Sequence, residues 1–119
     1  MIAVIFEVVP APGKREEYLA TAAALRPLLN EIDGFISVER FQSLSDPSKL
    51  ISLSFFRDEE SVKAWRNTMA HRKAQSAGRD RILKDYRLRI TTVIRDYSLD
   101  DRQQPPDDSR DFHKPMTST

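Results

Sequence analysis

The sequence predicts an α+β domain of the ferredoxin-like class, with the order β-α-β-β-α-β and a four-stranded antiparallel sheet carrying both helices on one face. Three observations lead to this class. Four segments rich in β-branched and aromatic residues alternate with two segments whose apolar residues recur at helical spacing. Turn residues separate the segments. A length of 119 residues suits one domain.

The N-terminal third predicts one strand and one helix. Residues 2–9 ("IAVIFEVV") favour a strand that stops at the proline and glycine of residues 10–13. Pro27 lies within the following helical segment, where it removes a backbone donor and is expected to bend the helix or break its last turn. The apolar face of this helix comprises Tyr18, Ala22, Leu25, Leu29 and Ile32.

The middle of the chain predicts a hairpin followed by a helix in two pieces. Residues 35–44 and 49–57 are expected strands, joined by the turn sequence "SDPS". Asp58 is a favourable N-cap for the next helix. A second helical piece is expected over residues 71–77, with Gly78 near its end. The apolar stripe of the first piece comprises Val62, Trp65 and Met69.

A last strand and a tail complete the chain. Residues 85–97 ("DYRLRITTVIRDY") alternate apolar and basic side chains and predict the fourth strand. Residues 98–119 lack periodicity and are rich in Pro, Asp and Ser, a composition typical of disorder. We therefore divide the chain into a folded domain of residues 1–97 and an irregular C-terminal tail of residues 98–119.

Composition argues against several classes of function. Nineteen basic and eighteen acidic residues leave a net charge near +1, which gives no reason to expect a nucleic-acid partner. The absence of cysteine excludes disulfides, thiolate catalysis and cysteine metal sites. The apolar N-terminus lacks the features of a signal peptide and is too short to span a bilayer. We expect a cytoplasmic protein without a membrane partner.

The uncovered face of the predicted sheet indicates a homodimer. Apolar residues are expected there among polar ones, and the sequence offers no third layer to cover them. A second copy of the chain is the simplest cover, and two such sheets packed face to face form a dimeric α+β barrel. The apolar residues expected on this face are Phe35 or Ile36, Phe41, Phe56 and Val93.

Four segments carry a resemblance to a known family: "IAVIFEVVPAPGK", "DGFISVERFQS", "LISLSFFRDEESVKAWRNTMAHRKAQSAG" and "DYRLRITTVIRDY". Over residues 1–97 the chain resembles the antibiotic biosynthesis monooxygenase (ABM) family of dimeric α+β barrels. Some members oxygenate polyketide-type aromatics without metal or flavin, others bind and degrade heme, and related proteins bind small molecules. The resemblance thus implies a homodimer and a small-molecule partner.

The resemblance also implies site residues. Characterised oxygenases of the family place a tryptophan on the second helix, facing a cavity between helices and sheet, and Trp65 matches that position. Heme-degrading members pair an asparagine of the first strand with a helical histidine that binds iron. Phe6 or Glu7 stands where this asparagine would be, and His71 follows Trp65 more closely than in those members, so heme is disfavoured.

Trp65 and His71 are the main catalytic candidates. Trp65 either packs a helix on the sheet or shapes a pocket for a flat substrate. His71, the one histidine before the tail, either makes a local hydrogen bond or accepts a proton near neutral pH. An unbroken helix leaves the two side chains about 120° apart, so a shared pocket requires a break between Asn67 and Ala70.

The other candidates complete the hypothetical site. Asn67 either orients a substrate oxygen at the helix break or is a surface amide, and Arg89 is a candidate partner for an anionic substrate oxygen. One histidine without acidic or histidine neighbours is a poor metal site, so no metal is predicted. The candidate apolar substrate contacts are Phe6, Phe56 and Met69. A solvated helix face is the interpretation given to Arg66, Arg72, Lys73, Arg79 and Arg81.

The resemblance, together with these residues, implies three possible functions. The first is a cofactor-independent ABM-type monooxygenase of a small aromatic or quinol-like compound, with dioxygen as co-substrate. Such chemistry needs few groups, because an electron-rich phenol deprotonated in a dry pocket itself reduces dioxygen. The second is a non-catalytic dimeric module that binds a small hydrophobic ligand. The third, disfavoured, is a heme-binding or heme-degrading protein.

Overall fold

The computed structural model describes residues 1–77, 81–101 and 103–108. All strand pairs are antiparallel, in the order β2-β3-β1-β4. The ferredoxin-like fold predicted from the sequence is therefore confirmed. The elements are β1 (Ile2–Pro10), α1 (Arg15–Leu29), β2 (Phe35–Gln42), β3 (Leu50–Phe56), α2 (Glu59–Arg66), α3 (Met69–Ala77) and β4 (Leu83–Thr92).

The last strand is shorter than predicted. β4 ends at Thr92, not at Tyr97, because Thr92 pairs with Ile2 at the very start of β1 and the ladder has no further partner. The Val93 N–H donates to the Met1 carbonyl at 3.0 Å, which closes the ladder. The expected helix end at Gly78 lies outside the described residues.

The helices pack on the less apolar face of β3, contrary to the sequence-based expectation. Strand side chains alternate between faces, so Ser52, Ser54 and Phe56 share one side. Phe56 is only 2% exposed and packs with Trp65 of α2. Its predicted place on the open face was therefore wrong. The open face instead carries Ile51, Leu53 and Phe55 of β3, beside Ile5 of β1 and Phe41 of β2.

The core divides into two apolar clusters at opposite ends of the sheet. Trp65 and Phe56 belong to the first cluster, and Tyr18 and Val8 belong to the second. In the register of β1 with β3, Phe56 pairs with Ile2 and Leu50 pairs with Val8, so the clusters are separated along the strands. Among the described residues, none of the helices combines the length and apolar character that crossing a bilayer requires.

A compact polar junction fixes the start of α2. The Asp58 carboxylate caps α2, as predicted, by accepting bonds from the Ser61 N–H at 2.9 Å and the Ser61 hydroxyl at 2.7 Å. These bonds, with the Arg57 guanidinium, lower the pKa of Asp58 to about 2. Arg57 also pairs with both carboxylate oxygens of Asp33, at 3.2 and 3.1 Å, and so joins the turn after α1 to the start of α2.

Part of the C-terminal tail folds back on the chain. The Asp96 N–H donates to Gln104 Oε1 at 2.6 Å, and Pro105 is buried. The Ser98 N–H donates to the Asp101 carbonyl at 2.8 Å. The division of the chain at residue 97 stays a prediction.

Gly34 is expected to be the more sensitive of the two glycines that have positive φ among the described residues. At Gly34 (φ 92°) an added Cβ would overlap Ser61 Oγ and lie 2.9 Å from Ser61 Cβ, whereas at Gly13 (φ 73°) it would meet nothing within 4 Å. Gly13→Ala should cost about 1 kcal/mol of unfolding free energy from backbone strain alone. Gly34→Ala should lower the free energy of unfolding at least twice as much, because Ser61 and the polar junction at the start of α2 must also move. Urea unfolding measures both, and equal losses would contradict the packing argument.

Candidate active site

A cavity of about 380 Å³ lies between the helices and the sheet. This volume is within the range of roughly 300–1,000 Å³ that small-molecule sites occupy. The cavity touches both apolar clusters, since Phe56 and Trp65 of the first and Tyr18 and Ile82 of the second line it. The cavity thus lies between the two clusters, and it suits a small, largely apolar molecule.

Small side chains create this cavity. On the sheet, Ser52 and Ser54 stand on the face that the helices cover, where larger apolar residues would otherwise fill the core. On the helices, Thr21 and Ala22 of α1 and Ala74 of α3 line the same space. Because close packing normally leaves no void of this size, small residues on three elements indicate a space kept for a ligand.

A helix break brings the two main candidates together. α2 ends at Arg66 and α3 begins at Met69, so the break predicted between Asn67 and Ala70 is confirmed. The Thr68 hydroxyl holds it, donating to the Trp65 carbonyl at 2.9 Å and accepting the His71 N–H at 3.2 Å. One side chain thus bonds to the end of α2 and caps the start of α3.

Trp65 and His71 meet at the wall of the cavity. Their ring centroids are 5.3 Å apart, with the planes at 64° in an edge-to-face contact. Trp65 is 9% exposed and packs in the first cluster, whereas His71 is half-buried, and both line the cavity. The indole therefore packs the core and shapes the pocket at once, and its contact orients the imidazole.

His71 is held in its neutral form. Burial lowers the pKa of His71 below its ordinary value of 6.5, and the nearby charges of Arg72 and Arg66 lower it further. A neutral imidazole has a free nitrogen lone pair that accepts a proton. At neutral pH His71 is therefore ready to act as a base rather than as an acid.

The lining of the cavity is cationic although the chain as a whole is nearly neutral. Three arginines, Arg40, Arg66 and Arg72, line it together with His71, and none of the lining residues in the described part of the chain is acidic. Arg66 and Arg72 are exposed and so lie at the opening. They thus have the solvent exposure predicted for this helix face and also line the cavity. Arg72 is positioned by Asn67 Oδ1 at 2.8 Å and Gln75 Oε1 at 3.2 Å.

The structure brings four of the seven predicted site residues to the cavity: Phe6, Phe56, Trp65 and His71. Met69 does not line it, because the helix break ends the stripe begun by Val62 and Trp65 and leaves Met69 79% exposed. Asn67 borders a shallow surface depression beside Met69.

Arg89, the seventh predicted residue, lies on the other side of the sheet. Strand alternation points it away from the helices, and it pairs with Glu7 at 3.4 Å. Arg89 therefore contacts no part of the cavity as the chain stands alone.

Two site residues were missed or undervalued by sequence reasoning. Thr68 gave a usable signal, because a threonine three residues before His71 matches an N-cap that restarts a helix. Arg40 gave no signal except its alternation along β2. Its place on the helix-covered face of the sheet depends on its register with Ser52. Among the described residues, no group of three or more His, Cys, Asp or Glu side chains is arranged to hold a metal ion.

The pKa of His71 is expected to respond to Arg72. An NMR titration of the wild-type ring should give a midpoint below 6.5. Arg72→Gln should raise this midpoint, because Arg72 has the larger effect of the two arginine charges, but not fully to 6.5, because burial lowers the pKa more than either charge. Lys73→Gln, an exposed neighbour, is the matched control and should leave it unchanged. A wild-type midpoint at or above 6.5 would contradict the burial of a neutral ring.

Comparison with known proteins agrees with this fold. A family model described as "Antibiotic biosynthesis monooxygenase" matches residues 1–77. A Pyricularia oryzae protein named "Jasmonate monooxygenase ABM" is 52% identical over 93 residues, covering 78% of this chain and 43% of that protein. The chain therefore spans less than half the length of this curated relative.

Solved structures show the same fold at low sequence identity. Rv0793 from Mycobacterium tuberculosis superposes with a TM-score of 0.73 at 16% identity, covering 82% of this chain and 98% of that one. A conserved protein from Methanosarcina mazei gives a TM-score of 0.69 at 20% identity, covering 76% and 89%. With the family model spanning more than half of its residues, the chain belongs to the antibiotic biosynthesis monooxygenase family.

Proposed function

We propose that the protein is a monooxygenase that binds a small aromatic or quinol-like compound in the cavity and oxygenates it with dioxygen. The observation that carries this proposal is the pairing of Trp65 with a neutral His71 at the wall of a largely apolar cavity. Family membership supports the reaction class. A cytoplasmic location belongs to the proposal and rests on the absence of cysteine.

The proposed reaction needs a base, an anion-stabilising field and a dry site. His71 removes a proton from an activated carbon or phenol of the substrate, and the cationic lining stabilises the resulting anion. The positive charges that lower the pKa of His71 also lower the pKa of the substrate. The difference between the two pKa values therefore stays small enough for the proton to be transferred.

Dioxygen then reacts with the substrate anion itself. The electron-rich anion reduces dioxygen, a carbon–oxygen bond forms, and the peroxide loses water as a ketone forms. For a ring methylene the balance is R₂CH₂ + O₂ → R₂C=O + H₂O, so the substrate supplies all the electrons. We therefore propose that neither a metal nor an organic cofactor takes part, and that heme is not used.

Jasmonate is a second candidate substrate. The observation that favours it is the name of the 52% identical relative from Pyricularia oryzae. Jasmonate is therefore tested together with the aromatic compounds in the oxygen-uptake assay.

Oxygen uptake with anthrone, a naphthoquinol and jasmonate tests the proposal. The wild type should consume oxygen with one of them, and His71→Ala should lower turnover by about 100-fold while ligand binding changes far less. Ala22→Leu should abolish both binding and turnover because the larger side chain enters the cavity. Ala23→Leu, on the exposed side of the same helix, is the matched control. Ligand binding without any oxygen uptake would instead indicate a non-catalytic binding module.

A homodimer through the open sheet face is the proposed assembly. Leu53, Ile51 and Phe55 stand on the face that no helix covers, and a second copy would cover them. Family membership agrees with this arrangement.

The dimer is expected to depend on Leu53. Leu53→Lys should give a monomer at micromolar concentration, because it places a charge in the centre of the proposed interface. Leu28→Lys should remain a dimer, because Leu28 is 42% exposed on α1, away from that face. Analytical ultracentrifugation measures both, and a monomeric wild type would refute the assembly.

A further inference from the structure

Arg40 carries a buried polar atom that none of the described residues satisfies. Its Nε is buried from solvent and has no hydrogen-bond partner among the described residues. The ion pairs between described residues involve Arg57, Arg81, Arg89 and Lys14, and none includes Arg40. A buried charged donor without a hydrogen-bond partner is destabilising, so this Nε favours the binding of an acceptor in the cavity.

The position of Arg40 directs it to the cavity. β-sheet register places it in a row with Ser52, Phe6 and Leu88, and all four line the cavity. Ser52, the neighbour of Arg40 on β3, is small, which leaves space beside the guanidinium. No acidic residue is among the described lining residues, so the lining itself offers Arg40 no carboxylate.

A carboxylate is the acceptor that fits a guanidinium best. Nε and one terminal nitrogen of arginine form two parallel bonds to the two oxygens of a carboxylate. We propose that the ligand of this cavity is a carboxylic acid and that Arg40 binds its carboxylate. This inference rests on the proposed function for the identity of the cavity as the substrate site, and it narrows the substrate to apolar molecules with an acidic end.

The sheet also separates the acidic end of the ligand from the reacting end. Phe56, which packs with Trp65, lies four residues along β3 from Ser52, the partner of Arg40. At about 3.3 Å per residue this is roughly 13 Å along the strand. The register therefore places the strand position of Arg40 apart from the contact between Phe56 and Trp65.

Binding of 4-phenylbutyrate and of its uncharged analogue 4-phenylbutanamide tests the inference. Both are measured by calorimetry under nitrogen, with the fluorescence of the single tryptophan, Trp65, as a second signal. The wild type should bind the acid at least 10-fold more tightly than the amide, since charge-assisted bonds contribute about 10- to 100-fold in affinity. Equal affinities would overturn the inference.

Three variants locate the acid preference. Arg40→Gln should remove the preference for the acid and leave the affinity for the amide within about 2-fold of the wild-type value. An unchanged preference for the acid would overturn the assignment to Arg40. Arg40→Lys should keep part of it, because it retains the charge without the two-pronged geometry. Arg15→Gln removes an exposed arginine outside the cavity and should keep it in full.

The binding test is independent of turnover. His71→Ala should keep the preference for the acid, because His71 is assigned to proton transfer and not to the carboxylate. A wild type that prefers the acid but consumes no oxygen with any substrate would refute the proposed function and support the carboxylate site.

Discussion

The hydroxyl of Thr68 is the interaction on which the candidate site depends. It bonds to the Trp65 carbonyl at the end of α2 and to the His71 N–H at the start of α3, so one end group of each helix is satisfied where the chain turns between them. Were the helix continuous, Trp65 and His71 would point about 120° apart. With the break, the rings touch at 5.3 Å and share one cavity.

The cavity is space in the core that larger side chains would otherwise fill. The helix-covered face of β3 carries two serines where the open face carries isoleucine, leucine and phenylalanine. Filling the interior with those larger residues would stabilise the isolated chain, since buried apolar area contributes about 25 cal/mol per Å². The arrangement instead leaves a hollow core and an apolar outer face, which is consistent with a ligand inside and a partner outside.

Charge segregation inside the fold gives the cavity its chemical character. Acidic and basic residues nearly balance over the whole chain, yet the described lining holds arginines and a histidine without an acid. Burial and the two arginines at the opening keep His71 neutral, while the Arg40 Nε has no hydrogen-bond partner among the described residues. The positive charges of the lining therefore favour both a neutral His71 that accepts a proton and the binding of an anionic ligand.

The sequence by itself determined the element order, the helix cap at Asp58 and the region of the helix break, because these depend on local periodicity and on single capping residues. The tertiary structure alone decided which face of β3 is inside. Alternation shows that Ser52, Ser54 and Phe56 share a face, but only packing against the helices shows that this less apolar face is the covered one. The same reason separates Arg40 from Arg89: both are strand arginines in the sequence, and only sheet register places one in the cavity and the other beside Glu7.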